Sequence, residues 1–534
     1  MIGGTTGLVL RFYILGFLAI LGAVATLAAT IGEPGWLLLL AFALVLLGVG
    51  VHDLVQTKHA ILRNYPVIGH MRFMMEEIRP ELQQYFIERN YDGRPFDRNT
   101  RSLVYLHAKG LKDEHPFGTE RDVYRVGYEH LVHSAAPVPV LAEPPRVRVG
   151  GPDCTQPYDL ALLNVSAMSF GSLSANAIEA LNRGAAQGGF AHDTGEGAIS
   201  PHHRHGGDLI WEIGSGYFGC RTADGGFDEE QFAEKAADPQ VKMVLLKISQ
   251  GAKPGLGGVL PGAKVSEAIA STRGVPVGRT VISPPYHRVY ETPRELVRFI
   301  GRMRELAGGK PTGIKLCVGS RADVLAICKA MVEEGIAPDF ITVDGSEGGT
   351  GAAPLVYQDH VGMPLTDALA VVHQSLVGVG LRDRVRIGAS GKVATGKDVV
   401  TRLIQGADFT NAARAMMLAL GCIQAQTCHT NTCPVGVATQ DPKRARALAV
   451  PDKTQRVAAF QHGTVQQAMQ VLASMGLSSF EDLRPRMLRR RVDHTTTLGY
   501  DELYEQLEPG QLLREPPASW VTDWCRADPD RFTP

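Results

Sequence analysis

Three cysteines crowd into a twelve-residue stretch: "GCIQAQTCHTNTCPVGVATQ" spaces Cys422, Cys428 and Cys433 as C-x5-C-x4-C. Thiolates held so close bind soft metals, and without metal they are prone to oxidation. An iron–sulfur cubane with its full ligand set takes four cysteines. Only three are local, so a [3Fe–4S] cluster is the expected occupant. Zinc held by these cysteines and His429 is the structural alternative, although the spacing departs from common zinc loops. Buried, unliganded thiols are the third. The other five cysteines, Cys154, Cys220, Cys317, Cys328 and Cys525, are scattered. A secreted disulfide scaffold is shorter and denser in cysteine, so a reducing compartment is expected.

The elements that must position such a loop are legible from about Asp159 onward. Short apolar runs ("LALLNVSAM", "KMVLLKIS", "GIKLCVG", "DFITVDG", "RVRIGAS", "ADFTNAAR") alternate with amphipathic stretches. The helices expected are Ser174–Gln187, Pro293–Leu306, Ala322–Glu334 and Leu365–Gly378. Strands alternating with helices argue for a parallel α/β fold. Glycine and polar residues gather after the strands, as in a (β/α)8 TIM barrel whose site lies at the strand C-terminal ends. A doubly wound sheet is the competing fold, disfavoured because no GxGxxG links a first strand to its helix.

The N-terminus is of another kind. "FYILGFLAILGAVATLAATI", Phe12 to Ile31, has about the twenty apolar residues that cross a bilayer. "WLLLLAFALVLLGVGV", Trp36 to Val51, follows a short turn. A cleaved leader has a shorter apolar core and no second run, so a transmembrane helical hairpin is expected over residues 1–57. Arg11 precedes the pair, Lys58 and Arg63 follow it, and Glu33 lies in the turn. That bias places both ends and the body in the cytoplasm, as in a multi-pass membrane protein. Residues 58–150 read as a helical lead-in packing on the barrel of 151–440. Residues 441–534 read as a helical extension whose basic run, "RPRMLRRRVDH", is a solvated face or a contact for lipid or an acidic partner. With Lys+Arg 54 against Asp+Glu 55, charge gives no case for nucleic acid.

The segments "NVSAMSFGSLSANAIEALNRGA", "DTGEG", "KISQGAKPGLGGVLPGAKVSEAIA", "ISPPYH", "DGSEGGTGAAP" and "CHTNTCPVGVATQ" occur in that order between Ala161 and Gln440. Together they resemble the synthase domain of the glutamate synthase large subunit. The chain is similar to the compact, single-chain, FMN-binding members of that family.

The resemblance implies FMN. Ser166, Ala167, Met168 and Ser169 then end the first barrel strand with small residues, so the backbone can approach a flat ring. Gln250 matches a flavin-contacting position. Lys315, alone on an apolar strand, is a candidate partner for the flavin N1–C2 oxygen, the alternative being a buried ion pair with a carboxylate. Two glycine-rich loops, with Gly348 and Gly349 in one and Ser390 and Gly391 in the next, are expected to hold the phosphate. The last strand then runs past Arg414 into the cysteine loop. The family pattern also implies that Lys253 and Arg273 hold the two carboxylates of 2-oxoglutarate. For Arg273 a plain helix-capping role is equally open.

Three positions depart from the pattern. Leu256 and Val259 replace an acidic residue and a glutamine, and Arg294 replaces a glutamate, so an altered acid pocket is expected. The activity implied is electron transfer from the cluster to FMN and reduction of a 2-imino acid, made from a 2-oxo acid and ammonia, to an amino acid. Ammonia is expected from solution or from a partner. The electron donor is a ferredoxin, an NAD(P)H-oxidising subunit or a membrane carrier. A flavin enzyme for another 2-oxo or amino acid, and a membrane-tethered electron-transfer subunit with a degenerate pocket, are the alternatives.

Overall fold

A computed structural model describes residues 6–32 and 35–532. Glu33, invoked for hairpin orientation, and the side chain of Arg11 lie outside the described residues. The chain divides into two compact units between Gly93 and Arg94, inside the stretch read as a single lead-in.

In the first unit, helices α1 (Thr6–Thr30) and α2 (Trp36–Val55) pack on each other, and both are long and apolar enough to cross a membrane. Small residues let them approach: Ala25 and Ala43 are buried, and a Cβ on Gly22 would touch the Ala43 methyl at 3.9 Å. Most of their large apolar side chains, including Phe17, Leu38 and Val45, are exposed. A short helix (Ala60–Asn64) and a longer one, α3 (His70–Leu82), follow.

In the second unit the apolar runs fold as a closed barrel of eight parallel strands: β1 (Leu163–Val165), β2 (His192–Asp193), β3 (Leu209–Ile213), β4 (Val241–Lys247), β5 (Thr312–Leu316), β6 (Phe340–Asp344), β7 (Arg386–Ser390) and β8 (Phe409–Ala412). Neighbours follow chain order, and β8 returns to β1 through Thr410 opposite Leu163. Closure sets aside the doubly wound sheet.

Each predicted helix is present within about a residue. These are α4 (Ala175–Gly188), α5 (Pro293–Leu306), α6 (Arg321–Glu334) and α7 (Leu365–Gly378). Their starts are written locally. The Ser174 side chain accepts the Ala177 N–H, and Thr292 with Glu295 forms a reciprocal capping box. After β2 the chain makes only the turn of 3-10 helix Pro201–His203, where a full barrel helix is usual.

The C-terminal region is not wholly helical. Helix α8 (Val450–Ser474) packs on α4 and on Arg98–Ala108. The basic run then forms a strand, Leu488–Arg491, paired antiparallel between Glu129–Leu131 and Thr497–Gly499. Alternate residues of a strand take opposite faces, and pairing on both edges fixes the run in a sheet.

Strand alternation divides the barrel interior into two levels. On the lower level Ile210, Met243, Leu245, Phe340 and Phe409 form an apolar plug, roofed from outside by Val149 and Leu160 of a hairpin. Gly313 and Gly388 make room for it: a Cβ at either would stand 2.6 Å from the Phe340 ring or 2.4 Å from the Phe409 ring. Val244, Leu246, Ile314, Ile341 and Val343 point outward into the helical layer.

Candidate functional site

The same period of two turns polar residues inward one level higher. Continuing from Ile210, Leu245, Gly313, Phe340, Gly388 and Phe409, the next inward positions are Glu212, Lys247, Lys315, Thr342, Ser390 and Asn411. Asp344 and Asp193 join them at the strand ends. This level floors a cavity of about 1020 Å³, walled by the loops after the strands. Its lining includes Ser166, Ala167, Met168, Ser169, Gln250, Lys253, Arg273, Lys315, Gly348, Gly349, Ser390, Gly391, Arg414 and Cys428. Every candidate flavin and substrate residue named from the sequence therefore faces one space, whereas Cys422 and Cys433 are not among its lining residues.

Electrostatics split the cavity into three parts. At its floor Lys315 is ion-paired with Glu212, both buried. Burial works against the ammonium, but Glu212, Asp193 and Asp344 outweigh it and hold Lys315 above its ordinary range. Asp193, also buried, is pushed up to about 8 by burial and by Glu212, against the pull of Lys315. The ion-pair alternative for Lys315 is thus realised, on a side chain that also lines the cavity.

One wall carries three cations around one carboxylate. Lys247 lies 3.1 Å from Glu196 and donates to Gln250 Oε1 at 2.8 Å. Burial pushes the Glu196 carboxyl up, and Lys247, with Arg273 and Lys253, more than reverses this. Lys253 is buried and donates to the Gly257 carbonyl at 3.2 Å; burial lowers its pKa against the pull of Glu196. Arg273 occupies the last turn of the short helix Glu267–Arg273, but its guanidinium turns inward. It donates to the Phe170 carbonyl at 2.9 Å and to Ser169 Oγ at 3.2 Å, and lies 5.2 Å from the Phe218 ring centre. Burial brings it down to about 10, and its Nε has no partner among the described residues. A buried cation with a spare donor suits an anionic ligand.

Another part of the wall is built from the two glycine loops. A Cβ on Gly349 would stand 3.5 Å from the Arg414 guanidinium, so Arg414 reaches from the end of β8 to the loop after β6. Ser166 and Ser390 hydroxyls meet at 3.1 Å inside the barrel mouth. Gly251 cannot be larger, because its Cβ would lie 2.0 Å from the Gly345 carbonyl. Lys392 and Arg94 add two further cations to the lining. Backbone amides and cations at adjoining strand ends can hold a phosphate, and the small Ser166–Ser169 wall leaves space for a planar ring. The residues fit FMN.

The cysteine loop lies at the rim. Cys422 and Cys433 are buried, Cys428 is partly exposed, and all three are free thiols. Burial raises the Cys422 thiol, and Cys428 and Cys433 are near enough to add to that. The Gln424 N–H points at Cys422 Sγ (3.4 Å), and buried Lys264 binds the carbonyls of Cys428 (2.7 Å) and Ala438 (3.2 Å). Soft donors with a cation and an N–H beside them suit an iron–sulfur centre in kind. Among the described residues, however, no three His, Cys, Asp or Glu side chains are gathered into a ready metal site, with or without His429.

Two of the three departures fall elsewhere than expected. Arg294 does not line the cavity. It sits in the first turn of α5 and binds Glu333 (2.6 Å), Glu334 (2.8 Å) and Asp530 (2.6 Å), tying the C-terminal segment to the outer helices. Leu256 is likewise absent from the lining. Val259 does line it, on a two-residue strand paired with Val281–Ile282, and is 41% exposed.

The family pattern described as a conserved region in glutamate synthase matches residues 153–478. The chain belongs to the glutamate synthase family. It is 37% identical over 498 residues to the glutamate synthase large subunit-like protein YerD of Bacillus subtilis, covering 85% of this chain and 94% of that one. To an archaeal-type glutamate synthase [NADPH] of Thermotoga neapolitana it is 38% identical over 323 residues, 60% of each chain. To the glutamate synthase [NADPH] large chain of Bacillus subtilis it is 35% identical over 325 residues, 59% of this chain and 20% of that one.

Several cavity residues escaped the sequence reading. Glu196 lies in the quoted "DTGEG" but had no role assigned. Glu212 and Lys247 could have been found by carrying strand alternation one step past the apolar positions. Arg94 lies outside the matched region and left no local signal. It enters because the chain from Arg94 to Phe96 is held under the cysteine loop, where Gln424 donates to the Phe96 carbonyl at 3.1 Å and accepts the Phe96 N–H at 3.2 Å.

Proposed function

We propose that this protein is an FMN-dependent oxidoreductase that reduces a 2-imino acid, formed from a 2-oxo acid and ammonia, to the amino acid. The observation that carries this is a single cavity with a glycine-and-cation wall, a buried Lys315 floor and a second cationic wall of Lys247, Lys253 and Arg273. Bound FMN supplies a hydride, and a [3Fe–4S] cluster held by Cys422, Cys428 and Cys433 supplies single electrons. Gly348, Gly349, Ser390, Gly391 and Arg414 hold the phosphate, while Ser166–Ser169, Gln250 and Lys315 bound the ring.

Lys253 and Arg273 bind the acid's carboxylates. Glu196 keeps these clustered cations from repelling one another, and its own charge leaves the wall net positive. Glu212 and Lys315 at the floor are buried, and there each charge is felt more strongly. At neutral pH the Asp193 carboxyl retains a proton beside Lys315. The α1–α2 hairpin tethers the protein to a membrane, with the body on the cytoplasmic side. The electron donor is a ferredoxin, an NAD(P)H-oxidising subunit or a membrane carrier.

Turnover with 2-oxoglutarate, ammonium and a chemical reductant tests the activity, and glutamate formation is the expected result. Flavin reduction with no amino acid formed would instead mark an electron-transfer subunit. Val259 favours a second reading, in which the acid is more apolar than 2-oxoglutarate, since an isopropyl group there offers no hydrogen bond. A different amino acid product from a panel of 2-oxo acids is its signature.

A further inference from the structure

The first unit carries an apolar stripe outside the hairpin. On α3, Met71, Met74, Met75, Ile78 and Leu82 are all exposed. At 100° per residue they fall within an arc of about 100°, which is the mark of a one-sided helix. Arg72 and Glu76 pair at 3.0 Å on the polar side. Phe73, off the stripe, is engaged by the His59 ring at 5.3 Å. Tyr85, Phe86 and Ile87 continue the exposed apolar surface, with Phe86 82% exposed. Soluble surfaces rarely show so much contiguous apolar area without something to cover it.

The position of α3 says what covers it. Asp53, in the last turn of α2, is fully buried. Its carboxylate accepts the Val67 N–H at 2.8 Å and lies 2.9 Å from His70 Nε2. The first residue of α3 is therefore fastened to the end of the second bilayer-length helix. A helix fastened there starts at the membrane border. Residues 56–93 hold five basic and five acidic side chains, so attraction to anionic headgroups adds little and apolar burial must supply the affinity.

We infer that α3 is an interfacial helix that lies in the plane of the bilayer, with Met71, Met74, Met75, Ile78 and Leu82 buried at the headgroup–acyl boundary. Its partner is the lipid itself, zwitterionic or anionic alike. This rests on the hairpin crossing the membrane. It adds a second attachment that sets the height and tilt of the first unit, which a flexible tether would leave free.

The test places a diazirine side chain, one position at a time, in the full-length chain reconstituted in phosphatidylcholine vesicles. Met75 and Ile78 report the stripe, Glu76 the opposite face, and Phe17 and Leu44 the hairpin. Lipid adducts are expected at Met75 and Ile78 as at Phe17 and Leu44, with none above background at Glu76. Adducts at the hairpin positions but none at Met75 and Ile78 would overturn this inference and leave the hairpin intact. Cross-links from Met75 to residues 94–534 or to a second protein would overturn it in favour of that occupant. Absence of lipid adducts at Phe17 and Leu44 would overturn the hairpin and the interfacial helix together.

Discussion

Replacing Lys315 by methionine probes the floor of the cavity. Lys315 is only 4% exposed and Glu212 1%, and Asp193 and Asp344 also bear on the same ammonium. Methionine matches the side chain in length and volume, so the loss is electrostatic and not one of packing. Removing one partner of a buried pair leaves an uncompensated charge and costs about 3–5 kcal/mol. Asp193, already pushed up to about 8, rises further without the lysine. The fold then holds a proton that the unfolded chain releases above about pH 4. Asp193 is protonated in both folds below about pH 8, so the loss from Lys315→Met is nearly constant there and grows above about pH 8, where only the wild-type carboxyl ionises against Lys315. Adding Glu212→Gln removes the orphaned charge with little change of shape and should restore about 2 kcal/mol or more. Urea unfolding of the full-length chain in detergent micelles measures both, at about pH 6 and about pH 9. Tryptophan fluorescence reports directly, since Trp211 adjoins Glu212 on β3 and is fully buried. A loss below about 1 kcal/mol for Lys315→Met, or a double variant no more stable than the single, would refute this account of the floor.

Asp193 by itself pulls stability down as pH climbs from about 4 to about 8, because it is protonated in the fold and ionised in the unfolded chain over that window; Asp193→Asn should remove this contribution, up to about 1.4 kcal/mol per pH unit. An unchanged slope in unfolding midpoints would remove Asp193 from the argument. Val259→Gln restores a donor worth about 1–3 kcal/mol, so 2-oxoglutarate should bind roughly ten- to a hundredfold more tightly in competition among 2-oxo acids, read by flavin reoxidation. Equal affinity would mean that Val259 makes no contact with the acid. Purified protein should carry about three irons per flavin, and Cys428→Ser should lower the iron while FMN stays bound; stoichiometric zinc without iron rules the cluster out. Cutting the chain between Gly93 and Arg94, where the compact units divide, should release a soluble body that binds FMN. A body that aggregates or loses flavin would show that the first unit is needed for folding.

Much of this protein is determined locally. The helix caps at Ser174 and Thr292, the bilayer-length apolar runs and short apolar runs such as "KMVLLKIS" are set by neighbours in the chain, and the fold follows them closely. Motifs in fixed order carried the family, and with it the positions of Ser166–Ser169, Gln250, Lys253, Gly348 and Ser390 at one cavity. The tertiary structure alone decided which charges meet. Lys315 and Glu212 are on different strands and pair only because β3 and β5 both turn them into the barrel at one level. Glu196 finds Lys247, Lys253 and Arg273 because the loops after β2 and β4 converge. Arg294 looked like a pocket residue by alignment of motifs, yet the start of α5 faces the outer helices and acidic Glu333, Glu334 and Asp530 claim it. The run "RPRMLRRRVDH" has helical composition, but Glu129–Leu131 and Thr497–Gly499 offer hydrogen bonds on both its edges, and backbone pairing outweighs a weak propensity. Periodicity and capping are properties of neighbours in the chain, whereas the partners of a buried charge are chosen by closure of the barrel.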